Sequence, residues 1–288
     1  MTKSEKPMTL EEKWNSLTLA NNFIFCKVME SNPDLCKHLL EILLHIKIDH
    51  LEPPQMERTM QEGLDSKTVR FDVYTKDSNR IFDLEMQTVK KENLPKRSRY
   101  YQSIIDMDNL NAGIDYDELK DTYIIFICLS DIFNKGLPVY SFENICAEDK
   151  ETKLEDRTYK VFFNASKCDK LESEDEKLFF KYLRGERVDN DFTRKLNEKV
   201  ALIKKNSFWR NQYMTWEQTI KEERKEAYKE AYKEAYQEAY QEAYQEAKEE
   251  NVIANAKSFF KNGVSVEIIA KSLGMSIEQI REITAGVC

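Results

Sequence analysis

The chain has 288 residues, with 44 basic against 52 acidic side chains and a net charge of −8 at pH 7. This length predicts one full domain and a smaller appendage. The acidic balance argues against a protein that coats nucleic acid, though not against an enzyme that contacts DNA locally. No run approaches the ~20 apolar residues of a membrane span, and the N-terminus lacks the apolar core of a signal peptide. We therefore expect a cytoplasmic protein with no membrane partner.

Hydrophobic periodicity predicts a mixed α/β domain. Apolar residues recur at helical spacing over residues 21–48, where Asn32 is placed to cap and Pro33 to begin a second helix. Further helical patterns begin at Pro95 and cover residues 174–204. The predicted strands cover residues 55–61 (weakly), 69–75, 80–89, 123–129, 139–142 and 159–164. The order is thus helix, three strands, helix, strand, followed by further strands and helices.

The C-terminal part of the chain begins with a repeat. Residues 226–247 repeat a tetrapeptide, EAYK or EAYQ, whose residues are mostly strong helix formers. A period of four advances each repeat by ~40° around a helix of 3.6 residues per turn. The five tyrosines therefore wind around the helix instead of forming a heptad seam. We interpret this helix as a solvated spacer, with a homo-oligomer formed through it as the alternative.

A small helical unit is predicted after the repeat. Its helical patterns are broken at Gly263 and Gly274, and Ser276 with Gln279 fits a capping box. This arrangement is typical of a helix-turn-helix-like unit. Residues 251–288 carry four basic and three acidic side chains, a net charge of only +1, so DNA binding and protein docking both remain open for this unit.

The predicted β-hairpin carries the strongest candidate for chemistry. With its turn centred on Ser78-Asn79, Asp72 lies directly opposite Glu85, and facing Cβ atoms in such a pair are ~4.5–5.5 Å apart. Gln87 points to the same face. Two carboxylates at this distance repel each other unless a cation lies between them, and a hard divalent ion such as Mg²⁺ meets that need. The alternative is an ordinary hairpin with one solvated polar face.

Other candidate residues give weaker signals. Asp83 shares the face of Glu85 and is either an auxiliary metal ligand or a hydrogen-bond partner of Tyr74. The three histidines lack the spacing of metal ligands, and no serine or cysteine stands in a nucleophile motif.

A basic stretch follows the second strand of the hairpin. Residues 90–99 carry five basic side chains and one acidic side chain, a local net charge of +4 in an acidic protein. This reversal of sign beside the carboxylates favours phosphate contacts by Arg97 and Arg99, with Tyr100 or Tyr101 against a sugar or base. The alternative is the solvated beginning of a helix.

The segments FDVYTKDSNRIFDLEMQ and NLPKRSRYYQSIID resemble the PD-(D/E)XK-type recombination-promoting nucleases, a transposase-like family. That family has an Asp on one strand and Glu-x-Gln on the next, and Asp72, Glu85 and Gln87 match these positions, with Met86 at the variable one. The resemblance implies an α/β fold with a PD-(D/E)XK-type αβββαβ core and a helical C-terminal extension. We expect a nuclease-like domain over residues 10–215, the repeat helix over 216–250 and the helical unit over 251–288.

The resemblance also implies a divalent-metal-dependent DNA endonuclease that serves recombination or mobile elements. In that scheme Asp72 and Glu85 hold Mg²⁺, or alternatively Mn²⁺ or Ca²⁺, the backbone carbonyl of Met86 is an extra ligand, and Gln87 orients water or a phosphate oxygen. Two departures keep a second hypothesis open, a catalytically silent interaction protein with the nuclease fold. Gln87 lacks the positive charge of the lysine found in related nucleases, and Asn22 stands where we expect relatives to carry Asp.

Overall fold

The computed structural model describes residues 8–60 and 68–286. The chain divides into two compact units, residues 1–214 and 215–288. The helices in chain order are α1 Leu10–Ser16, α2 Asn22–Ser31, α3 Pro33–Leu44, α4 Leu94–Asn109, α5 Glu174–Leu183, α6 Asp191–Lys205, α7 Ser207–Lys261, α8 Val266–Leu273 and α9 Ile277–Thr284. The strands are β1 Gln55–Met60, β2 Val69–Lys76, β3 Arg80–Gln87, β4 Asp121–Cys128, β5 Val139–Phe142 and β6 Thr158–Asn164.

The strands form one six-stranded sheet in the order β1-β2-β3-β4-β6-β5. Strands β1, β2 and β3 are antiparallel neighbours, β3, β4 and β6 run parallel, and β5 is an antiparallel edge strand. The order of helix, three strands, helix and strand confirms the predicted αβββαβ core. Strand β4 reads as a continuous apolar run because it lies at the centre of the sheet, where both of its faces are buried.

Helices cover both faces of the sheet around the hairpin. On one face α4 contributes Leu94, Ile104 and Ile105 to a buried apolar cluster with Phe71 and Phe126. On the other face α2 contacts all three strands of the antiparallel part. The alternative of a hairpin with one solvated face is therefore wrong, since a helix packs against each side of it.

Helix α1 lies outside the predicted elements. Its seven residues hold only two large apolar side chains, Leu10 and Trp14, which are too few to establish a helical period. A capping box between Thr9 and Glu12 begins the helix, and the Trp14 indole N–H donates to the carbonyl of Lys204 at 3.1 Å. This buried indole joins the beginning of the first unit to α6.

The structure differs from the predicted element boundaries in two details. Pro33 begins α3 as expected, but the Asn32 side chain makes no capping bond and donates instead to the carbonyl of Val28 at 2.8 Å. Strand β1 ends at Met60, and the predicted last residue, Gln61, lies outside the described residues.

The second unit contains most of α7 together with α8 and α9. Helix α7 continues through the repeat to Lys261. Beyond the repeat, Ala256 of α7 packs with Ile269, Ala270 and Ile280 in a small buried cluster. The predicted helix breaks occur because glycines with φ of 80° (residue 263) and 67° (residue 274) take the left-handed conformation. In residues 8–60 and 68–286 no helix is both long and apolar enough to cross a membrane.

Candidate active site

The predicted register of the hairpin is confirmed from the turn as far as Val73, and the strand pairing ends before the predicted facing pair of Asp72 and Glu85. Strands β2 and β3 pair from Lys76 opposite Ile81 to Val73 opposite Leu84. At the turn, the Asp77 carboxylate accepts hydrogen bonds from the backbone N–H groups of the two residues at positions 79 and 80. This local capping fixes the turn, and the turn fixes which side chains face each other further along the strands.

Beyond Val73, side chains connect the two strands. The backbone N–H of Asp72 donates to Oε1 of Glu85 at 3.0 Å, and the backbone N–H of Met86 donates to Oδ2 of Asp72 at 3.0 Å. Each carboxylate thus accepts a hydrogen bond from the backbone of the opposite strand. This reciprocal pair holds the two carboxylates side by side between β2 and β3.

The second oxygen of each carboxylate has a partner from a different helix. Asn22 of α2 donates from Nδ2 to Oδ1 of Asp72 at 2.9 Å. Arg97 of α4 forms an ion pair with Oε2 of Glu85. The two helices that cover opposite faces of the hairpin therefore meet its carboxylates from both sides.

The site is buried. Asp72 is 6% exposed, Glu85 1% and Gln87 7%, which contradicts the alternative of a solvated hairpin face. Buried carboxylates are rare unless they are paired or bind a cation. The burial therefore favours a functional role over ordinary surface polarity.

Asp83 completes a group of three buried acids. It is fully buried, and within the described part of the chain no donor reaches either of its oxygens. The Tyr74 hydroxyl does not bond to Asp83 and instead accepts from the Asn109 amide at 3.1 Å.

Burial dominates the electrostatics of this group. It raises the pKa of Asp72, raises the pKa of Glu85 to about 8 with the Asp72 charge adding to the effect, and raises the pKa of Asp83 well above its ordinary value. Arg97 is in ion-pair contact with Glu85, and the charge of Arg70 also acts on Asp72. Burial beside like charges thus favours the protonated form of these carboxyls, and at Asp83 no described donor stabilises the charged form.

Arg97 is fixed by several contacts at the beginning of α4. Its Nε donates to the Tyr101 hydroxyl at 2.7 Å, and its Nη1 lies 3.4 Å from Oε1 of Gln87. The Gln87 amide in turn donates to the carbonyl of Val89 at 2.6 Å. Tyr101 itself is buried and packs edge-on against Phe71. Tyr101 is predicted to contact DNA, but in the structure its ring is buried and its hydroxyl is bonded to Arg97.

Arg99, by contrast, lies on the exposed side of α4. Lys90, Lys91 and Lys96 are exposed as well. The basic stretch is therefore divided, with Arg97 turned into the site and the other cations on the surface beside it.

Two residues near the carboxylates carry no signal in the sequence. Cys26 lies one helical turn after Asn22, and its buried thiol contacts the Asn22 side chain at 2.9 Å and the Asp72 carbonyl at 3.3 Å. Glu57 of β1 interrupts the pairing with β2 next to Asp72 and takes a φ of 49°, which is unusual for a residue with a side chain. Strained residues of this kind concentrate at functional sites.

The donors at the centre suit a hard divalent cation. The Asp72 and Glu85 carboxylates and the nearby backbone carbonyls supply oxygen, the ligand type that Mg²⁺ prefers. Over residues 8–60 and 68–286, no group of three or more His, Cys, Asp or Glu side chains is arranged to hold a metal. Two carboxylates nevertheless match Mg²⁺, which keeps several waters in its coordination shell. The excess of buried carboxyls over cations gives the site a negative potential that favours such an ion.

Comparison with known proteins agrees with this geometry. A sequence model of the PD-(D/E)XK nuclease family transposases matches residues 20–247, which include the sheet, the hairpin carboxylates and α4. No curated protein and no solved structure matches the chain significantly. On the strength of the family match, which covers most of its length, the chain belongs to the PD-(D/E)XK nuclease family transposases.

Proposed function

We propose that the protein is a divalent-metal-dependent DNA endonuclease that acts in recombination or mobile-element turnover. The observation that carries the proposal is the reciprocal hydrogen bonding of Asp72 and Glu85, which holds two buried carboxylates side by side. A surface hairpin has no need of such an arrangement, because burying carboxylates costs free energy. Membership of the nuclease family supports DNA as the substrate.

In this proposal Asp72 and Glu85 hold the ion, with the Met86 carbonyl as a third oxygen. Mg²⁺ is the proposed ion, with Mn²⁺ or Ca²⁺ as alternatives. When bound, the ion supplies positive charge at the scissile phosphate and lowers the pKa of a water molecule. Asn22 orients the Asp72 carboxylate through its 2.9 Å hydrogen bond. Gln87, at the edge of the site, is the residue proposed to orient the water or a phosphate oxygen.

The surface beside the site is proposed to hold the DNA backbone. Arg99 and the three exposed lysines at positions 90, 91 and 96 present positive charge in a protein of net charge −8. Phosphate contacts of this kind position a duplex without reading its sequence. Because Arg97 is turned towards Glu85, its contact with a phosphate requires that the guanidinium leave this carboxylate.

The test is nicking of supercoiled plasmid in Mg²⁺, Mn²⁺, Ca²⁺ or EDTA. We expect cleavage by the full chain with Mg²⁺ or Mn²⁺, and a loss of at least ~100-fold in Asp72→Asn and Glu85→Gln. The matched controls are Asp117→Asn and Glu118→Gln, which make the same chemical changes at two exposed neighbouring positions. Both controls are expected to cleave at the rate of the unmodified protein.

Three other outcomes would contradict the proposal. Cleavage that survives in both site variants would place the activity elsewhere or in a contaminant. Equal losses in the site variants and the exposed controls would indicate a general effect of charge. A folded protein that cleaves with none of the ions would support the rival hypothesis, a silent interaction protein in which Gln87 and Asn22 have replaced catalytic residues.

A further inference from the structure

Arg97 occupies the carboxylate oxygen that a metal ion would use. We propose that Arg97 is the resident counter-ion of the Asp72–Glu85 pair and that a divalent ion displaces it from Glu85, so that metal loading is an exchange of cations. This inference rests on the proposed function, because it takes the two carboxylates as the metal ligands. It goes beyond that function because it makes Arg97 a determinant of whether the two carboxylates are available to a metal ion.

The contacts of Glu85 limit how an ion can approach it. Oε1 accepts the backbone N–H of Asp72, a bond that also fixes β2 to β3. Oε2 is paired with Nη2 of Arg97. Over the two described stretches of the chain, Arg97 is the cation in ion-pair contact with this pair of carboxylates. An ion that binds both carboxylates therefore meets the guanidinium at the same oxygen.

Simultaneous occupancy is electrostatically unfavourable. A guanidinium and a divalent ion on one carboxylate oxygen would lie within a few ångströms of each other, in a buried site where water screens charge poorly. The Glu85 side chain is 2% exposed. Either cation neutralises the carboxylate, but the two together repel, so occupancy by one disfavours occupancy by the other.

Arg97 also contacts residues other than Glu85, and these contacts keep its side chain near the site after it leaves the carboxylate. Its Nε bond to Tyr101 and its Nη1 contact with Gln87 do not involve the carboxylate. Its guanidinium carbon lies 4.8 Å from the centre of the Tyr101 ring and 5.6 Å from that of Phe126. Cation–π contacts of this kind hold the group in place. Because the guanidinium is planar and rigid, displacement from Glu85 shifts Nε and Nη1 as well, and the rings of Tyr101 and Phe126 keep the positive charge at the edge of the site.

The exchange has a measurable consequence, because coupling between two cations at one site is reciprocal. If the ion must displace Arg97, removing the guanidinium charge strengthens metal binding. Arg97→Gln removes the charge and keeps an amide near Tyr101, whereas Arg97→Lys keeps the charge. Arg99→Gln is the matched control, since it removes the same charge two residues along α4, at an exposed position without the Glu85 ion pair.

The experiment is a calorimetric titration of the full chain with Mn²⁺ alone. We expect Arg97→Gln to bind Mn²⁺ about tenfold more tightly than the unmodified protein, within the usual range for coupled sites. Arg97→Lys and Arg99→Gln should stay near the unmodified affinity, and Asp72→Asn should lose binding. Equal affinities for Arg97→Gln and Arg99→Gln would overturn the exchange while leaving the metal site intact. No binding by any variant, or full binding in Asp72→Asn, would overturn the proposed function and the exchange together.

A second measurement does not depend on the folding of Arg97→Gln. In the unmodified protein the Nε–H resonance of Arg97, assigned from the Arg97→Lys spectrum, should shift during a Mg²⁺ titration, and that of Arg99 should not. An unchanged Arg97 resonance at saturating Mg²⁺ would show that the guanidinium stays on Glu85, which would overturn the exchange.

Discussion

Asn22 on α2 donates a hydrogen bond to Oδ1 of Asp72 at 2.9 Å, across fifty residues of sequence. The amide supplies a donor to a buried carboxylate and adds no charge, so it stabilises Asp72 in the metal-free protein. A carboxylate at position 22 would do the reverse, because it would repel Asp72 until a cation bound between them. The position thus sets a balance between the stability of the empty site and its affinity for metal.

Asn22→Asp tests this balance. We expect the metal-free variant to be less stable by about 1–3 kcal/mol, since Asp72 loses a donor and gains a like charge. Its melting temperature should rise more on addition of Mn²⁺ than that of the unmodified protein, because a third carboxylate strengthens binding. Asn22→Ala is the control: it loses the donor without adding a charge, so it should be destabilised yet show no larger shift with Mn²⁺. Equal shifts in the two variants would mean that position 22 does not reach the metal.

Asp83 is predicted to act as a neutral neighbour of the site. Asp83→Asn imitates the protonated acid at a position that no described donor reaches. We expect its plasmid nicking to stay within about threefold of the unmodified rate, a change below about 1 kcal/mol, while Asp72→Asn slows nicking at least ~100-fold. The variant should also unfold at a higher urea concentration at pH 8, because burial no longer opposes an ionisable group there. A loss of nicking as large as that of Asp72→Asn would identify Asp83 as a metal ligand.

The sequence predicts the hairpin register because that register depends on local information. The alternation of residues in each strand and the polar turn at residues 77–80 place Asp72 near Glu85, and both signals lie within twenty residues. The same holds for the strand lengths and for the glycine breaks near the C-terminus. The order of the core, which the hydrophobic pattern predicts and the family resemblance also implies, is confirmed by the structure.

The packing of α2 and α4 against the two faces of the hairpin could not be predicted in the same way. Alternation within a strand shows that its two faces differ, but not what packs on the polar one. Asn22 reaches Asp72 from a helix that precedes β2, and Arg97 reaches Glu85 from a helix that follows β3. These contacts depend on how the helices sit on the sheet. The basic stretch accordingly looks uniform in sequence, although Arg97 points inward and Arg99 outward.

The raised pKa of Glu85 predicts how stability depends on pH. Its pKa rises from 4.5 to about 8 on folding, so between these values the folded protein binds more protons than the unfolded chain. Stability of the metal-free protein should therefore fall as pH increases from 5 to 8, by up to about 1.4 kcal/mol per pH unit for one proton. The raised pKa values of Asp72 and Asp83 act in the same direction. Urea unfolding at several pH values measures this slope.

Glu85→Gln is the control for the pH prediction, and it should make the slope shallower. Saturating Mn²⁺ should also reduce the slope, because the ion binds the deprotonated carboxylates. Stability that increases with pH over this range would contradict the assignment of buried, protonated carboxyls to the site.

Gln87→Lys tests whether Arg97 already supplies the positive charge of this site. The Gln87 carbonyl oxygen lies 3.4 Å from Nη1 of Arg97, so a lysine there would place an ammonium beside the guanidinium. We expect lower stability and no faster cleavage, although related nucleases carry lysine at this position. Gln87→Met is the control, since it removes the amide without adding charge.

In the double variant of Gln87→Lys with Arg97→Gln, part of the lost stability should be recovered, with a coupling energy of about 0.5–3 kcal/mol. A faster enzyme from Gln87→Lys alone would contradict this account.

The repeat helix is predicted to be a spacer, and its tyrosines provide the test. The five rings at positions 228, 232, 236, 240 and 244 are 60–73% exposed. Each ring is rotated by ~40° from the one before it, so they cannot share one flat contact over the whole repeat. Replacing all five by Ala should leave the helical circular dichroism signal equal or stronger, since Ala has the higher helix propensity. The sedimentation coefficient should likewise show no concentration dependence in either protein. Self-association of the unmodified chain that is lost in the Ala variant, yet kept when the tyrosines are replaced by Phe, would instead identify the rings as an assembly surface.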